Sequence, residues 1–300
     1  MPYIDVNNLV GDDYARIALT GPEGSGKTIA ALKLARGIVG PTGRIAVLDT
    51  ENRSSRKLRA YEQFSVDTIE GNYSPAVYVD KIHDAEKSGF DALIVDSLTH
   101  AWNGPGGTLS IVDEFTGGDN RKNMNGWRKA TPEHNRLVES LVHSKLNLLC
   151  TLRVKTEMEE IELPNGKKQW RKVGLMPIQR DGMMYEFDMV MDIDVNHVLT
   201  IAKTRAPMFD KQVLFAKQDK DLPTMDRFHR NLSELTALGE QIGEWLRTGI
   251  GKSRSDMVID TIRELAALLG REEEAETLIE AADGDMAVLD EVLTGFSGGA

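Results

Sequence analysis

Gly21-Pro22-Glu23-Gly24-Ser25-Gly26-Lys27-Thr28 is the stretch from which the rest of the chain reads. The octet fits G-x-x-x-x-G-K-[ST]. In that pattern glycines let backbone N–H groups turn inward around a phosphate, the lysine reaches the β- and γ-phosphates, and the last hydroxyl binds Mg²⁺. It follows an apolar run, Arg16-Ile17-Ala18-Leu19-Thr20, that reads as a strand. It opens a helical pattern from Thr28 to Val39 that Gly40-Pro41 ends. A helix N-terminus adds its own partial positive charge at that place. Residues 21–28 are therefore the expected nucleotide-binding loop, with Lys27 as a catalytic cation and Thr28 as a metal ligand.

Outward from the loop, short apolar strands at 44–49, 91–96 and 147–152 alternate with helices at 74–88 and 131–146. The last helix has Thr131 as its expected N-cap and Pro132 in its first turn. Strands separated by helices imply βαβ units, hence an α/β fold with a mostly parallel central sheet. Asp96 ends the run Ala92-Leu93-Ile94-Val95 and is the expected second Mg²⁺ ligand. No Glu follows it directly. Strand C-termini converge on the ligand edge of an open sheet. Glu51, just beyond the second strand, is therefore the candidate to orient or activate water.

The pattern changes after residue 152. Two polar, strand-like stretches over about 153–173 flank Pro164-Asn165-Gly166-Lys167, and Asn-Gly is a strong hairpin signal. Strands follow at 187–193 and 197–203, joined near Asp194, and then a helix at 232–247. Gly249 to Ser253 reads as a linker. Residues 254–292 read as two or three short acidic helices with a break at Asp283-Gly284. The expected domains are 1–250, the nucleotide-binding core with its hairpin insertion, and 251–300, an acidic helical appendage.

The 300 residues carry 47 Asp plus Glu and 36 Lys plus Arg, net -11, with 41% hydrophobic residues. That composition excludes a disordered chain. One cysteine, Cys150, excludes a disulfide framework and a multi-cysteine zinc site; within its apolar strand it reads as inert. The six histidines lack metal-ligand spacing. No membrane span or leader pattern is visible, so a cytoplasmic location and no membrane partner are expected. The charge is uneven. Residues 251–300 hold 12 acidic and 4 basic side chains, net -8, whereas 121–180 hold 13 basic and 6 acidic, net +7.

Taken together, the phosphate loop, Glu51, Asp96-Ser97 and the segment Ile201-Ala202-Lys203-Thr204-Arg205-Ala206-Pro207-Met208-Phe209 resemble the RecA-type recombinase ATPase core. The stretch 154–194, VKTEMEEIELPNGKKQWRKVGLMPIQRDGMMYEFDMVMDID, gives a narrower resemblance to phage and prophage RecA-like single-strand annealing proteins, over roughly residues 12–248. The resemblance implies a RecA-like P-loop NTPase that uses ATP and Mg²⁺ and acts on single-stranded DNA. It implies that Lys203 and Arg205 reach a neighbouring subunit's γ-phosphate, and hence a ring or filament of identical chains. It also implies a γ-phosphate sensor at the end of the fourth expected strand, either Thr151 or Arg153.

It further implies DNA-binding loops after the third and fourth expected strands. Both regions carry cations around a stacking ring, the usual equipment for single-stranded nucleic acid. The first, 104–125 and just beyond, has Arg121, Lys122, Trp127, Arg128 and Lys129, with Gly104, Gly106, Gly107, Gly117 and Gly118 suggesting mobility. The second has Lys167, Lys168, Trp170, Arg171 and Lys172. The hairpin also reads as an acidic arm, 157–162, paired with a basic one. Three other functions stay open: a motor or loader ATPase acting on a replication or single-strand-binding protein, a regulatory nucleotide-binding module with little turnover, and a small-molecule phosphotransferase, which the lack of an acceptor-site motif disfavours.

Overall fold

Strand residues buried on both faces belong to a parallel sheet covered on two sides, and the central strands here are of that kind. The computed structural model describes residues 13–117, 119–162, 168–214, 224–248, 254–282 and 284–297. Within them only the backbone is described at 157–162, 168–173, 224–230, 254–257 and a few single positions. In chain order the elements are β1 (Arg16–Gly21), α1 (Lys27–Val39), β2 (Ile45–Asp49), β3 (Ser65–Thr68), α2 (Pro75–Lys87), β4 (Ala92–Asp96), α3 (Thr99–Asn103), α4 (Thr108–Thr116) and α5 (Asn123–His143). There follow β5 (Asn147–Glu162), β6 (Lys168–Pro177), β7 (Met189–Ile193), β8 (Leu199–Thr204), β9 (Val213–Leu214), α6 (Thr224–Thr248), α7 (Arg254–Leu269), α8 (Glu272–Ala282) and α9 (Met286–Ser297).

The sheet order is β3-β2-β4-β5-β1-β7-β8-β9, with β6 paired to β5. Strands β1 to β5 and β7 run parallel; β6, β8 and β9 are antiparallel to their neighbours. This is the α/β architecture of a P-loop NTPase with a helical C-terminal region. Alternate residues of β1 go to opposite faces. Ile17 and Leu19 pack with Leu34, Ala35, Leu238 and Ile242 of α1 and α6. Ala18 packs with Tyr78, Ile82, Leu137 and Leu141 of α2 and α5. Burying each such leucine or isoleucine contributes about 1.5–3 kcal/mol. Helices α7 to α9 enclose a separate small core of Ile262, Ala266, Ala275, Ile279, Leu289 and Phe296.

Several local expectations need correction. Helix α5 starts at Asn123 and contains Pro132, so Thr131 is not its N-cap. Its buried positions Gly126, Ala130, His134, Leu137 and Leu141 keep helical spacing straight through the proline. Pro132 is exposed, so the lost hydrogen bond falls on the outer face, where the freed carbonyl is open to solvent. The expected mobile loop 104–125 holds α4, which packs against Gly126 through Val112. Two of its glycines cap that helix: Gly107 is the N-cap and Gly117, at φ 56°, the C-cap. Strand β3 and helix α3 were not expected. The first is a half-exposed edge strand with one apolar residue, and the second is a helix of 5 residues.

The fourth expected strand and the first hairpin arm are one strand, β5, and β6 runs on to Pro177. Backbone register sets Glu159 opposite Arg171 and Glu162 opposite Lys168. The hairpin turn, the 249–253 linker and Asp283 lie outside the described residues. Among the described residues no helix is long and apolar enough to cross a membrane.

Candidate functional site

β1, β2, β4 and β5 point their C-terminal ends to one edge, and the register sets Asp49 opposite Asp96 and Gly21 opposite Arg153. The phosphate loop leaves β1 at that edge. Gly24 and Gly26 take φ of 76° and 95°, which L side chains rarely adopt. A Cβ on Gly21 would lie 2.3 Å from the Ile193 carbonyl oxygen, so a larger residue there would push the loop off the sheet. Lys27 Nζ donates to the carbonyls of Gly21 at 2.9 Å and Pro22 at 2.7 Å. Burial lowers its pKa, opposed by the Asp96 and Glu51 carboxylates. Ser25 Oγ is buried with no hydrogen-bond partner among the described residues, an orphan that a phosphate oxygen would satisfy.

Thr28, in the first turn of α1, donates to Asp96 Oδ2 at 2.9 Å. Thr151 donates to Asp96 Oδ1 at 2.5 Å. Burial pushes the Asp96 carboxyl up, partly offset by those two hydroxyls. A hydroxyl and a carboxylate already in contact beside a phosphate loop fit the Mg²⁺ of a bound nucleotide, and Thr28 and Asp96 are the residues that would hold it.

Glu51 is carried on a turn tied down by Asp49. The fully buried Asp49 carboxylate accepts from the N–H of Glu51 at 2.8 Å and of Ser55 at 2.9 Å. Asn52 and Arg53 pass through the left-handed region to close that turn. The Glu51 side chain accepts from Ser97 Oγ at 2.9 Å and from Arg153 Nε at 2.9 Å, both on Oε1, while Arg153 Nη2 takes Oε2. Burial pushes the Glu51 carboxyl up. The Arg153 and Ser97 hydrogen bonds outweigh it and hold the carboxyl below its usual range. Behind it, Thr50 Oγ1 accepts from the Ser97 N–H at 2.8 Å and lies 2.8 Å from His100 Nδ1.

The structure brings Lys27, Thr28, Asp96 and Glu51 to one edge. It does not bring Lys203 and Arg205 there. β8 runs antiparallel, so its C-terminal Thr204 lies opposite Met189, which pairs with Ile17 near the start of β1. At that far end Lys203 Nζ donates to the carbonyls of Met184, Tyr185 and Phe187. Arg205 is ion-paired with Asp188 at 3.2 Å. A cavity of about 760 Å³ opens beside them, lined in part by Arg16, Glu186, Asp188, Arg205 and Trp245.

The candidate DNA residues divide into two groups. Arg121 and Lys122 are exposed in a single helical turn before α5, and Arg128 and Lys129 are exposed on α5 itself. Trp127 is half-buried, 5.9 Å from the Trp102 ring, with the Arg180 guanidinium 5.8 Å above it. This surface is helical and not a mobile loop. Lys168, Trp170, Arg171 and Lys172 lie on β6, and Lys167 is outside the described residues.

Sequence reasoning passed over Thr50, Ser97 and His100 as a linked set, and over His197, whose Nδ1 lies 3.0 Å from the Ser25 carbonyl oxygen. Adjacency to Glu51 and Asp96 was a signal for the first two. Nothing in the sequence marks His197, which the β7–β8 turn delivers to the phosphate loop. A family model described as an AAA domain matches residues 13–228. A search of curated proteins finds no match.

Proposed function

The chain belongs to the AAA-domain family and is a P-loop ATPase; on that premise we propose that it couples ATP hydrolysis at subunit interfaces to work on single-stranded DNA, as RecA-like annealing and recombination proteins do. The observation that carries the ATPase chemistry is the connected set Thr28–Asp96–Thr151 beside a phosphate loop with an orphaned serine hydroxyl. Lys27 places an ammonium against the transferring phosphoryl group. Thr28 and Asp96 would hold Mg²⁺, which when bound would offset negative charge on the nucleotide's phosphates. Glu51, ionised at neutral pH, orients the attacking water. Lys203 and Arg205 act in trans. Their position at the far end of the sheet keeps them from their own phosphate loop, so in this reading the phosphate they contact belongs to another copy.

The DNA part rests on exposed cations at 121–129 and on the basic β6 arm. That arm is the antiparallel partner of β5, the strand that also carries Thr151 and Arg153, so a ligand on the hairpin sits on an extension of the active-site strand. The test is ATPase activity with and without single-stranded DNA, for the protein and for Lys27→Ala and Arg128→Ala/Lys129→Ala. Stimulation by DNA that Arg128→Ala/Lys129→Ala weakens, with turnover lost in Lys27→Ala, is the expected result. ATPase indifferent to DNA, with a replication protein recovered as a stable partner, would replace DNA by protein as the substrate.

A further inference from the structure

The turn that joins β7 to β8 holds one side chain in a strained conformation. Its frame is the Asp194 carboxylate, which accepts from the N–H groups of Asn196 at 2.8 Å and Val198 at 2.9 Å. The Asp194 N–H donates to the Val198 carbonyl at 3.0 Å, and the His197 N–H to the Asp194 carbonyl at 3.1 Å. Within that frame His197 sits at φ 64°, a left-handed conformation uncommon outside glycine. The turn is also fixed to the strand that carries the phosphate loop. Thr20 of β1 stands beside Asp192 of β7 in the register and donates its hydroxyl to the Asp192 carboxylate.

What the strained residue reaches is the Ser25 carbonyl oxygen, 3.0 Å from its Nδ1. A carbonyl oxygen only accepts, so Nδ1 carries the proton and donates. That bond settles a choice the loop residues leave open. In a trans peptide the C=O and the following N–H point to opposite sides. Gly26 lies at φ 95°, and glycine takes either sign of φ about equally readily. The Ser25–Gly26 peptide could therefore turn either face inward. With the carbonyl drawn to the β7–β8 turn, the Gly26 N–H faces the other way, and it has no hydrogen-bond partner among the described residues. An N–H left free in a glycine-rich phosphate loop is a donor for a phosphate oxygen.

We propose that His197 is a positioning residue of the nucleotide site: its Nδ1–H holds the Ser25 carbonyl outward, and so keeps the Gly26 N–H aimed at the phosphates. The proposal rests on the reading of residues 21–28 as the nucleotide-binding loop. His197 acts through the loop backbone and needs no contact with the nucleotide itself. The N–H groups of such a loop cradle the α- and β-phosphates, which ATP and ADP share. His197 therefore strengthens the grip on both nucleotides equally and does not tell one from the other.

The experiment measures affinities of the full chain for ADP and for a non-hydrolysable ATP analogue, both with Mg²⁺, alongside steady-state ATPase kinetics. His197→Gly suits the left-handed backbone and removes only the imidazole. It is expected to weaken both nucleotides alike, by about two- to tenfold, the effect of one hydrogen bond. KM is expected to rise by a similar factor while kcat stays within about twofold, as loss of uniform binding requires. His197→Asn also tolerates positive φ and sets an amide nitrogen two bonds from Cβ, where Nδ1 stands. It is expected to recover most of the loss. Unchanged affinities in His197→Gly overturn the proposal. So does a loss confined to the ATP analogue, or one that His197→Asn leaves undiminished. Should His197→Gly fail to fold, His197→Ala carries the same comparison with His197→Asn, and equal affinities in the two overturn it. Nucleotide binding that Lys27→Ala leaves intact removes the loop reading instead, and the proposal with it, an outcome separate from the His197 comparison.

Discussion

His134 is buried at 3% exposure against the edge of Trp102, ring centroids 5.7 Å apart, and its Nδ1 has no hydrogen-bond partner among the described residues. Burial, with the Arg180 charge behind it, pushes its pKa down to about 4. The unfolded chain protonates the same imidazole near the ordinary value of about 6.5. Between those values the unfolded state binds a proton that the folded state refuses, so stability falls as pH drops through that window. The thermal midpoint is expected to decline from about pH 6.5 towards 4 more steeply than in His134→Gln. Parallel curves for the two proteins would assign the acid sensitivity elsewhere. At this scale legibility follows chemistry. The meeting of Lys27, Thr28 and Asp96 at one edge could be read from the sequence, because a phosphate-loop pattern and a strand-end carboxylate fix their places on helix and strand. The Glu51–Arg153 pair could not, since its members are 102 residues apart and meet only through the β2-β4-β5-β1 order.

Helix α1, which carries the phosphate loop, is pressed backbone to backbone against α6. A Cβ on Gly37 would lie 2.1 Å from the Thr236 carbonyl oxygen and 2.6 Å from the Glu240 nitrogen. One on Gly239 would lie 2.3 Å from the Leu34 carbonyl oxygen. The obstruction is backbone, so no rotamer change relieves it. Gly37→Ala raises helix propensity by up to about 1 kcal/mol. Overpacking at such a crossing nevertheless costs about 1–3 kcal/mol, and the clash is expected to dominate. Urea denaturation is expected to show a net loss in both Gly37→Ala and Gly239→Ala; a gain in either would mean the helices separate at little cost. Element existence was largely legible, because apolar strands and amphipathic helices advertise their periods. Boundaries were not. Packing of α4 on Gly126 extends α5 across Pro132, and β5 runs past Leu152 because β6 pairs with its polar continuation.

The whole molecule has two opposite ends. The phosphate loop, Asp96 and Glu51 share the C-terminal edge of the parallel strands, while Lys203, Arg205 and their cavity share the other. If the second end serves a neighbour's first, two crippled copies complement each other. Lys27→Ala lacks its own phosphate lysine but keeps the trans cations; Lys203→Ala/Arg205→Ala has the reverse defect. Each alone is expected to lose most ATPase activity, and a mixture to recover part of it. No recovery, with both variants folded, would sink the trans assignment.

The sequence by itself determined the α/β class, the phosphate loop, the place of Asp96 at the end of its apolar strand and the division between a nearly balanced body and an acidic tail. These are local properties of residue type, spacing and charge. Only the tertiary structure decided that Arg153 holds Glu51, that Lys203 and Arg205 face away from their own phosphate loop, and that His197 supports it. Those facts depend on strand order and direction, which bring together residues the chain keeps far apart.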